Sequence, residues 1–390
     1  MPATCKPAAT LQQVLRLCHK PAVHPHVQRV MEQLKKCRTA ANGYHLYRCS
    51  DDNCGQLQYQ YHSCHNRHCP QCGALKKEEW IEARQRELLP VKYYHVVFTL
   101  PHELNSIIMG NRKALFKLLF DASAQTLLCF ANDEKYLGAK PGIISVLHTW
   151  GQQLSFHPHV HCIVSGGGVA TNAAGICWKE AKKNDWRFLF PVKAMNKVFR
   201  GKFLEGLKSL LAAQQVTADP NSDIKLLIQK LYEKDWMVYA KAPFGGPQQV
   251  IEYLGRYTHK VAISNHRIQS VDEQAGTVTF GYKDYADQGK QKQMTLEIIE
   301  FIRRFEQHIL PRGFTKIRSY GYISNRGRNQ RITQVLQYLQ VPAHPPAVKL
   351  PWQLRLLEKY GIKHDECPQC KNRTLQLVIV HYHKKSSDDG

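Results

Sequence analysis

The segment that most limits how this chain can fold is rich in cysteine and histidine and poor in apolar periodicity. It reads CRTAANGYHLYRCSDDNCGQLQYQYHSCHNRHCPQC and begins at Cys37. The 390 residues contain 13 cysteines, five of which fall between Cys49 and Cys72. An odd total, grouped in CxxC and Cx4C spacings beside histidines, is typical of metal ligation and not of a secreted disulfide framework. Because the segment can bury little apolar surface, metal binding should supply its folding free energy.

Structural zinc takes four nitrogen or sulfur ligands in a tetrahedron. We predict one such zinc at the cysteines of the two shortest spacings, which are Cys49, Cys54, Cys69 and Cys72. Two further pairs could hold a second zinc in interleaved order, namely Cys37 with His45 and Cys64 with His68. The alternative is a set of reduced free thiols. A separate CPQC, from Cys367 to Cys370, is half a site that His364, His381 or His383 could complete.

The charge of the chain is strongly positive. Lysine and arginine total 54 against 31 aspartates and glutamates, which gives a formal net charge of +23. Such a field attracts a polyanion, and the release of condensed counterions makes nucleic acid the natural partner. The alternative is a basic protein that binds no polyanion. The sequence contains no GxxxxGK(S/T) phosphate loop, so it encodes no nucleotide-driven motor.

Apolar spacing and composition divide the chain into five regions. Residues 1–36 are predicted to form a helical arm, 37–89 a zinc-binding domain with a connecting helix, and 90–265 a central domain with an insertion at about 169–234. Residues 266–350 are a basic accessory region, and 351–390 contain the CPQC and a polar tail that we expect to be disordered. In the central domain the predicted order is β-α-β-β-α-β-α. This order indicates an α+β fold, an antiparallel sheet covered by helices with ferredoxin-like character.

The stretch SFHPHVHCIV places His157, His159 and His161 at alternate positions of a predicted strand. Side chains two apart share a face and are about 7 Å apart along the backbone, so the rings of His159 and His161 can converge on one ion. Neutral imidazole suits divalent metals, and two protein ligands leave positions open for a substrate oxygen. The alternative is a solvent-facing strand with incidental histidines. In the similar VHPHVQ, His24 and His26 follow a helical pattern and face apart, so we interpret them as structural.

A second pattern, EYLGRYTHK, places Tyr253 and Tyr257 four residues apart on a predicted helix, hence on one face and about 6 Å apart in rise. A metal held by the histidines would polarise a phosphodiester, and a tyrosine phenolate would attack the phosphorus. Phenol has a pKa of about 10 and needs cationic help, for which Arg256 and Lys260 each lie about one turn from a tyrosine. A phosphotyrosine conserves the bond energy and suits strand transfer better than hydrolysis. The alternative is that both tyrosines pack in a core.

These motifs resemble those of the HUH (His-hydrophobe-His) endonucleases, and specifically those of the two-tyrosine transposases of bacterial rolling-circle insertion sequences. The likeness covers most of the chain, through VVFTLP, HTWGQQLSFHPHVHCIVSGGG, YLGRYTHKVAISNHRI and RSYGYISNRGR. It implies that His159 and His161 bind Mg²⁺ or Mn²⁺ in an HUH nuclease core of the ferredoxin-like or RRM-like kind. It also implies that Tyr253 and Tyr257 are the nucleophiles and that the cysteine-rich region is a zinc-binding domain.

HUH enzymes often add a third metal ligand from a neighbouring element. Gln152, Gln153 and His157 are near in sequence, and His148 lies across the hairpin. We favour Gln153 among these four, although spacing does not decide between them. A water or a phosphate oxygen would also complete the coordination.

The resemblance further implies the substrates and partners. These are single-stranded DNA ends of the protein's own mobile element and target DNA, joined through 5′-phosphotyrosine intermediates, together with host replication or helicase factors. With no secretory signal and no apolar run of about 20 residues, we expect a soluble protein of the bacterial cytoplasm and nucleoid. The residues expected to contact DNA are Arg67, Lys76 and Lys77 beside the cysteines, and Tyr320, Tyr322, Arg326, Arg328 and Arg331. The alternative for the second group is a solvated basic face.

Two other functions fit parts of the pattern. A plasmid replication initiator or conjugative relaxase would use the same chemistry. The order in this chain, with the tyrosines after the histidines, favours a transposase or a replication initiator over the commoner relaxases. A non-enzymatic zinc-finger DNA-binding protein would account for the charge and the cysteines. It leaves the histidine strand and the tyrosine pair unexplained.

Overall fold

The computed structural model describes residues 7–19, 21–22, 24–72, 74–173, 175–181, 189–241, 244, 246, 249–250, 253, 255, 260–342 and 350–382, with the backbone alone at 74–76. Among these residues the α-helices are α1 (Leu11–Leu17), α2 (Pro25–Lys36), α3 (Ala74–Gln85), α4 (Asn105–Gly110), α5 (Arg112–Asn132), α6 (Val192–Ala212), α7 (Ile224–Glu233), α8 (Ile298–Glu306), α9 (Arg328–Tyr338) and α10 (Trp352–Tyr360). The strands are β1 (Gly43–Cys49), β2 (Leu57–Tyr61), β3 (Tyr93–Thr99), β4 (Lys140–Trp150), β5 (Phe156–Asn172), β6 (Gly175–Glu180), β7 (Met237–Lys241), β8 (Ile268–Asp272), β9 (Thr277–Asp284), β10 (Lys290–Glu297), β11 (Ile317–Gly321) and β12 (Leu375–Tyr382).

The chain divides into two compact units. The first comprises Met1–Gly73, Ile263–Val278 and Pro345–Gly390, and the second comprises Ala74–Ala262 and Thr279–His344. The first unit therefore contains both ends of the chain. The sequence pattern instead separates 1–36, 37–89 and 351–390 into different regions.

The first unit is built on a three-stranded sheet with the order β12-β1-β2. β1 runs antiparallel to β12, from Gly43 opposite Tyr382 to Cys49 opposite Leu375, and it also runs antiparallel to β2. The expectation of a disordered tail after the CPQC is wrong over 375–382, because LQLVIVHY is rich in strand-forming residues and pairs with the edge of β1. The remainder of that tail lies outside the described residues.

Helices α1 and α2 lie within the predicted helical arm. Thr10 and Gln13 form a capping box at the start of α1, which satisfies backbone N–H groups that have no partner within the helix. At the start of α2 the Nδ1 of His24 accepts a hydrogen bond from the backbone N–H of His26 at 3.2 Å. The histidines of VHPHVQ are thus at a helix cap, as their structural interpretation requires. The apolar residues that these helices bury are Leu11, Val14, Leu15, Val27, Val30, Met31 and Leu34.

The second unit is built on a larger antiparallel sheet. Its strand order is β11-β4-β5-β3-β7, and β6 pairs with the end of the long strand β5. The predicted hairpin of β4 and β5 is confirmed, with Val146 opposite His161 and His148 opposite His159. β9 and β10 are neighbours in a separate small sheet.

One face of the large sheet packs against α5 and α6. Val96, Phe98, Leu147, Val160 and Cys162 are buried there with aromatic residues of the two helices, and together they form the main core. α5 is long and apolar enough to cross a membrane by length and composition alone. Because 61% of its most apolar segment is buried inside the protein, packing against the sheet explains its apolar character.

The opposite face carries a second core and, beyond it, the histidines. Ile144, Val146 and Ile163 pack there with Leu88 and Leu89, which follow α3, and with apolar residues of α9. Strand alternation places His148, His159 and His161 on this same face. The fold is therefore mixed α and β with antiparallel sheets, as the order of elements predicts.

Candidate active site

Three histidines meet on the second face of the large sheet. His148 on β4 and His159 on β5 are opposite each other, and His161 is two residues along β5. One ring nitrogen from each of the three lies within 4.8 Å of the others. Val160, between the two histidines of β5, is fully buried on the other face. The alternation predicted from SFHPHVHCIV is confirmed, and the third imidazole comes from the neighbouring strand.

The residues on either side of this cluster have different surroundings. The Nδ1–H of His159 donates a hydrogen bond to the carbonyl oxygen of His157 at 2.7 Å, which leaves Nε2 of His159 with its lone pair. The side chain of His157 itself is exposed. Gln153, the favoured third ligand, lies in the turn between β4 and β5, where its backbone carbonyl accepts a hydrogen bond from Arg304 at 3.1 Å. A ligand role for Gln153 stays a prediction. The ring nitrogen that lies beside those of His159 and His161 belongs to His148.

Burial keeps two imidazoles of the cluster, those of His159 and His161, neutral. Burial lowers the pKa of His159 to about 4, and the nearby charge of Lys260 acts in the same direction. Burial also holds the pKa of His161 well below its ordinary value, with contributions from His159, His95, Lys260 and Lys316. A neutral imidazole keeps a lone pair for a metal ion, so the donor set fits a divalent cation.

Tyr253 reaches this cluster from a helical position. Its hydroxyl lies 3.2 Å from Nδ1 of His161 and 2.6 Å from Nε2 of His95. Nε2 of His95 in turn lies 3.0 Å from Nδ1 of His161, and the two rings stack with centroids 5.2 Å apart. The Tyr253 ring also packs against Phe244. Tyr253 is half-buried: its ring packs against the second core, while its hydroxyl lies beside the histidines.

His95 is a site residue that the sequence reasoning missed. It lies on β3, where Val97 is opposite His161 and Thr99 is opposite His159, so strand alternation places it on the histidine face. Burial lowers the pKa of His95 to about 3. The sequence contains this histidine in the predicted strand KYYHVVFTLP. Its place in the site follows only from the pairing of β3 with β5, which spacing along the chain does not predict.

Two lysines supply positive charge next to the histidines. Lys260, predicted from its helical spacing, is exposed and is not in a helix in the structure. Its backbone carbonyl accepts a hydrogen bond from Nζ of Lys316 at 2.9 Å. Lys316 precedes β11 and was not predicted, and its ammonium lies 5.0 Å from the centre of the Trp150 ring. Tyr257 and Arg256, the other predicted catalytic residues, lie outside the described residues.

The cysteines of the first unit form two groups of four. Cys37, Cys64, Cys69 and Cys72 are one group, with Sγ atoms of Cys64 and Cys72, and of Cys37 and Cys69, 3.6 Å apart. The second group combines Cys49 and Cys54 with Cys367 and Cys370.

The predicted grouping of Cys49 and Cys54 with Cys69 and Cys72 is therefore wrong. The loop after β2 folds back to the end of α2, where the N–H of Arg38 donates to the carbonyl of His62 at 2.9 Å, and this brings Cys64, Cys69 and Cys72 to Cys37. The interleaved pairs with His45 and His68 do not form. A ring nitrogen of His45 instead lies 3.1 Å from one of His62, and the backbone N–H of His68 donates to Asn66.

Two family models match the chain. One, described as "Putative transposase" of the Y2 type, matches residues 142–331, and the other, described as "Transposase zinc-binding domain", matches residues 10–100. The chain is 42% identical over 366 residues to "Putative transposase y4qJ" of Sinorhizobium fredii (strain NBRC 101917 / NGR234), an alignment that covers 90% of this chain and 89% of that protein.

The chain belongs to the Y2 transposase family. It is also 31% identical over 350 residues to "Transposase for insertion sequence element IS801" of Pseudomonas savastanoi pv. phaseolicola, covering 88% of this chain and 82% of that protein. The solved structure of TrwC complexed with a 27-mer DNA, comprising the recognition hairpin and the cleavage site, covers 42% of this chain and 71% of its own at 12% identity and a TM-score of 0.22. At this TM-score the two folds are not similar enough to assign a shared architecture or role.

Of the DNA contacts predicted between Tyr320 and Arg331 of this Y2 transposase, some are exposed and others make contacts within the protein. Tyr322 is buried in the second core, where its ring meets Trp178 and closely approaches Gly142, so its assignment as a stacking residue is wrong. Arg328 forms a largely buried ion pair with Glu87 at 2.7 Å, and Glu87 also pairs with Arg84 at 2.6 Å.

Arg331 is also structural, since it donates hydrogen bonds to the backbone carbonyls of Tyr322 and Ser324 at 2.6 and 2.8 Å. Tyr320 is half-buried against the main core, and Arg326 is exposed. In the first unit Arg67 is exposed, and in the second Lys77 is half-buried. The side chain of Lys76 lies outside the described residues.

The first unit also contains an open cavity of about 970 Å³. Its lining combines cationic, aromatic and imidazole side chains, including Arg29, Lys36, Tyr47, Tyr61 and Tyr382. Planar rings beside cations are the combination that single-stranded nucleic acid binds.

Proposed function

We propose that this Y2-family protein cuts one DNA strand at the ends of its own insertion sequence and transfers it to target DNA through 5′-phosphotyrosine intermediates. The observation that carries the proposal is the 3.2 Å distance between the Tyr253 hydroxyl and Nδ1 of His161, a member of the three-histidine cluster. A nucleophile beside a group of neutral imidazoles fits metal-assisted phosphoryl transfer. Family membership and the relatives named as transposases support the same reading.

We infer that the catalytic core is an HUH nuclease sheet of ferredoxin-like order. Four strands of the large sheet follow the chain order β3, β4, β5 and β7, with α5 between β3 and β4 and α6 between β5 and β7. Their spatial order is β4-β5-β3-β7, with every neighbouring pair antiparallel. This arrangement is that of a split β-α-β unit repeated twice.

We propose that His148, His159 and His161 hold the catalytic divalent ion. When bound, such an ion polarises the scissile phosphodiester and neutralises charge on its oxygens. Three imidazoles suit a borderline ion, whereas Mg²⁺ prefers carboxylate, carbonyl and water oxygens. Among the described residues the cluster contains no carboxylate. Of the two metals implied by the family, Mn²⁺ is therefore the better fit.

The strand-cutting step is assigned to Tyr253 and the groups around it. The phenolic oxygen attacks the phosphorus, the bond from phosphorus to the 3′ oxygen breaks, and the 5′ phosphate stays on Tyr253. The phenolic proton is lost to solvent and the leaving 3′ oxygen takes up one proton from solvent, so the step balances. Nε2 of His95, which burial keeps neutral, accepts a hydrogen bond from the phenol at 2.6 Å and orients its oxygen for attack.

The other predicted catalytic residues complete the proposal. Tyr257 is assigned as the second nucleophile, so that two strand ends can be held at once during transfer. The charges of Lys260 and Lys316, which act on the pKa of His161, would stabilise the phosphate, with Arg256 in a similar role. Host replication or helicase factors are expected to supply the single strands.

We propose that the zinc-binding domain holds its ion at Cys37, Cys64, Cys69 and Cys72, the complete group of four within the matched residues 10–100. Its cavity, together with Arg67, would then bind the element end, with Tyr47 and Tyr61 available to stack on bases. Exposed Arg326 and half-buried Lys77 and Tyr320 are further candidates for DNA contact.

Covalent attachment to labelled DNA tests this proposal. The full chain is incubated with a 5′-labelled and a 3′-labelled single strand spanning the element end and with Mn²⁺, and the products are run on a denaturing gel. The wild type should become covalently attached to the 3′-labelled fragment, which carries the 5′ phosphate after cutting. The control Tyr285→Phe, which changes a 71% exposed turn residue, should give the same adduct. Tyr253→Phe should lose at least one of the adducts. An adduct that persists unchanged in Tyr253→Phe, or no adduct with the wild type, would overturn the assignment.

A further inference from the structure

We propose that Cys49, Cys54, Cys367 and Cys370 bind a second structural zinc ion, which joins the two ends of the chain. The matched zinc-binding domain ends at residue 100 and therefore contains only the first two of these cysteines. The proposal goes beyond strand cutting and does not depend on it, because all four residues belong to the first unit.

The sulfur geometry matches a tetrahedral zinc site. The Sγ atoms of Cys49 and Cys370 are 3.7 Å apart, as are those of Cys54 and Cys367. Zn–S bonds of about 2.3 Å in a tetrahedron place the sulfurs about 3.8 Å apart. A disulfide needs about 2.05 Å, so the sulfurs are not placed for two crosslinks.

A tight backbone turn lies at each of the two cysteine pairs. Gly55 follows Cys54 with φ 56°, and Lys371 follows Cys370 with φ 63°. The N–H of Lys371 donates to the carbonyl of Cys367 at 2.9 Å, and the N–H of Cys54 donates to that of Asp51 at 2.9 Å. Each pair of thiols is thus held by its own tight turn, and the two turns face each other.

Contacts around the group hold the turns together. The N–H of Ser50 donates to the carbonyl of Thr374 at 2.9 Å, and Asn372 donates to the carboxylate of Asp51 at 3.1 Å. The Thr374 hydroxyl lies 2.9 Å from Sγ of Cys49, where it can donate to a thiolate. Cys49 and Cys367 are buried. A buried thiolate needs a compensating cation, and a zinc ion at the centre supplies it.

The tetrapeptide CPQC occurs twice, at Cys69–Cys72 and at Cys367–Cys370. The first copy belongs to the group within the matched zinc-binding domain, whose sulfurs are 3.6 Å apart. The second copy stands in an equivalent group with nearly the same spacing. The same ligand chemistry in the same geometry points to the same ion at both places.

Metal content of the full chain tests the proposal. Relative to the wild type, Cys367→Ser/Cys370→Ser should lose one equivalent of zinc per chain, and so should Cys37→Ser/Cys69→Ser. The control Cys129→Ser, which changes an exposed thiol outside both groups, should lose none. A Cys367→Ser/Cys370→Ser protein that is folded by circular dichroism and keeps its full zinc content would overturn the site.

If the Cys367→Ser/Cys370→Ser variant does not fold, titration of the metal-free wild type with Co²⁺ tests the site instead. Thiolate-to-cobalt charge transfer reports cysteine sites and not the histidine cluster, so its absorbance should rise until two equivalents of Co²⁺ are bound. Saturation at one equivalent would overturn the proposal. The zinc proposal is tested by metal content and the strand-cutting proposal by the DNA adduct of Tyr253, so either can fail without the other.

Discussion

Nε2 of His95 lies 2.6 Å from the hydroxyl of Tyr253 and 3.0 Å from Nδ1 of His161. One imidazole on β3 therefore connects the proposed nucleophile to a proposed metal ligand. If His161 binds the ion through Nε2, its Nδ1 carries a proton and can donate to the phenolic oxygen, 3.2 Å away. The single lone pair of Nε2 of His95 then accepts from the phenol at 2.6 Å, so that both hydrogen bonds orient Tyr253.

Replacing His95 should slow strand cutting without weakening DNA binding. His95→Phe removes the acceptor and keeps a planar ring of similar size in the buried position. We expect the single-turnover rate of adduct formation at saturating Mn²⁺ to fall roughly 100-fold, the cost of a misplaced reacting group. The Kd for the same oligonucleotide in a Tyr253→Phe background should stay within about twofold, because His95 makes no proposed DNA contact. An unchanged rate would exclude this role.

The third metal ligand can be decided by two alanine variants. His148→Ala should weaken Mn²⁺ binding at least about 100-fold, since it removes one of the nitrogens that lie within 4.8 Å of one another. Gln153→Ala should change the affinity by less than about threefold if its carbonyl contact with Arg304 is its structural role. Calorimetric titration of Mn²⁺ measures both. A larger loss in Gln153→Ala would restore the prediction made from spacing.

The donor set also predicts a metal preference. At equal concentration Mn²⁺ should support adduct formation at least about tenfold better than Mg²⁺, because imidazole nitrogen binds Mn²⁺ in preference to the harder ion. The measurement is the metal concentration that gives half the maximal single-turnover rate. Equal concentrations for the two ions would indicate that oxygen ligands, and not the three histidines, dominate the site.

Stability should fall in mild acid. Burial lowers the folded-state pKa of His95 to about 3 and that of His308 to about 4, whereas an unfolded histidine has a pKa of about 6.5. The unfolded chain therefore binds protons first, so the stabilisation is complete above pH 6.5 and is lost as the pH falls toward 4. Each such histidine contributes a slope of up to about 1.4 kcal/mol per pH unit.

Urea unfolding of the second unit between pH 7 and pH 4 should reveal this slope. His308→Gln provides the comparison, because glutamine keeps groups for the contacts with Thr149 and with the carbonyl of Leu154. That variant should have a smaller slope than the wild type. An identical slope would mean that His308 titrates similarly in the folded and unfolded states.

Two arginines of one basic segment should behave differently. Arg328 and Glu87 are paired at 2.7 Å with side chains 13% exposed. Because Arg84 remains as a second partner of Glu87 at 2.6 Å, Arg328→Ala should cost about 1.5–3 kcal/mol of unfolding free energy, the usual value for a lost hydrogen bond to a charged group. Arg326→Ala, at an exposed position, should change stability by less than about 0.5 kcal/mol. Denaturant unfolding compares the two. A similar small effect for both would contradict the structural role of Arg328.

The residues that sequence predicted well are those whose spacing alone fixes their geometry. Strand alternation determines that His159 and His161 share a face, and helical periodicity predicts α1 and α2 from their leucines and valines. The hairpin of β4 and β5 follows because its two strands are close in the chain. Each of these features depends on contacts between residues that are near in sequence.

The features that were missed depend on contacts between distant residues. His95 enters the site because β3 lies beside β5, and spacing within KYYHVVFTLP does not contain that neighbour. Spacing along the chain predicts a group of Cys49, Cys54, Cys69 and Cys72, but the pairing of β12 with β1 brings Cys367 and Cys370 to Cys49 and Cys54. Tyr322 is predicted as a DNA contact because it is aromatic in a basic segment, and only packing reveals its burial.

The pairing of β1 with β12 has a consequence for synthesis on the ribosome. β1 ends at Cys49, and its partner begins only at Leu375. At 5–20 residues per second the first strand waits roughly 16–65 s for the second. One edge of β1 therefore stays unpaired while the residues between the two strands are translated, and a chain truncated before Leu375 would keep that edge exposed. Completion of this sheet is thus coupled to translation of residues 375–382.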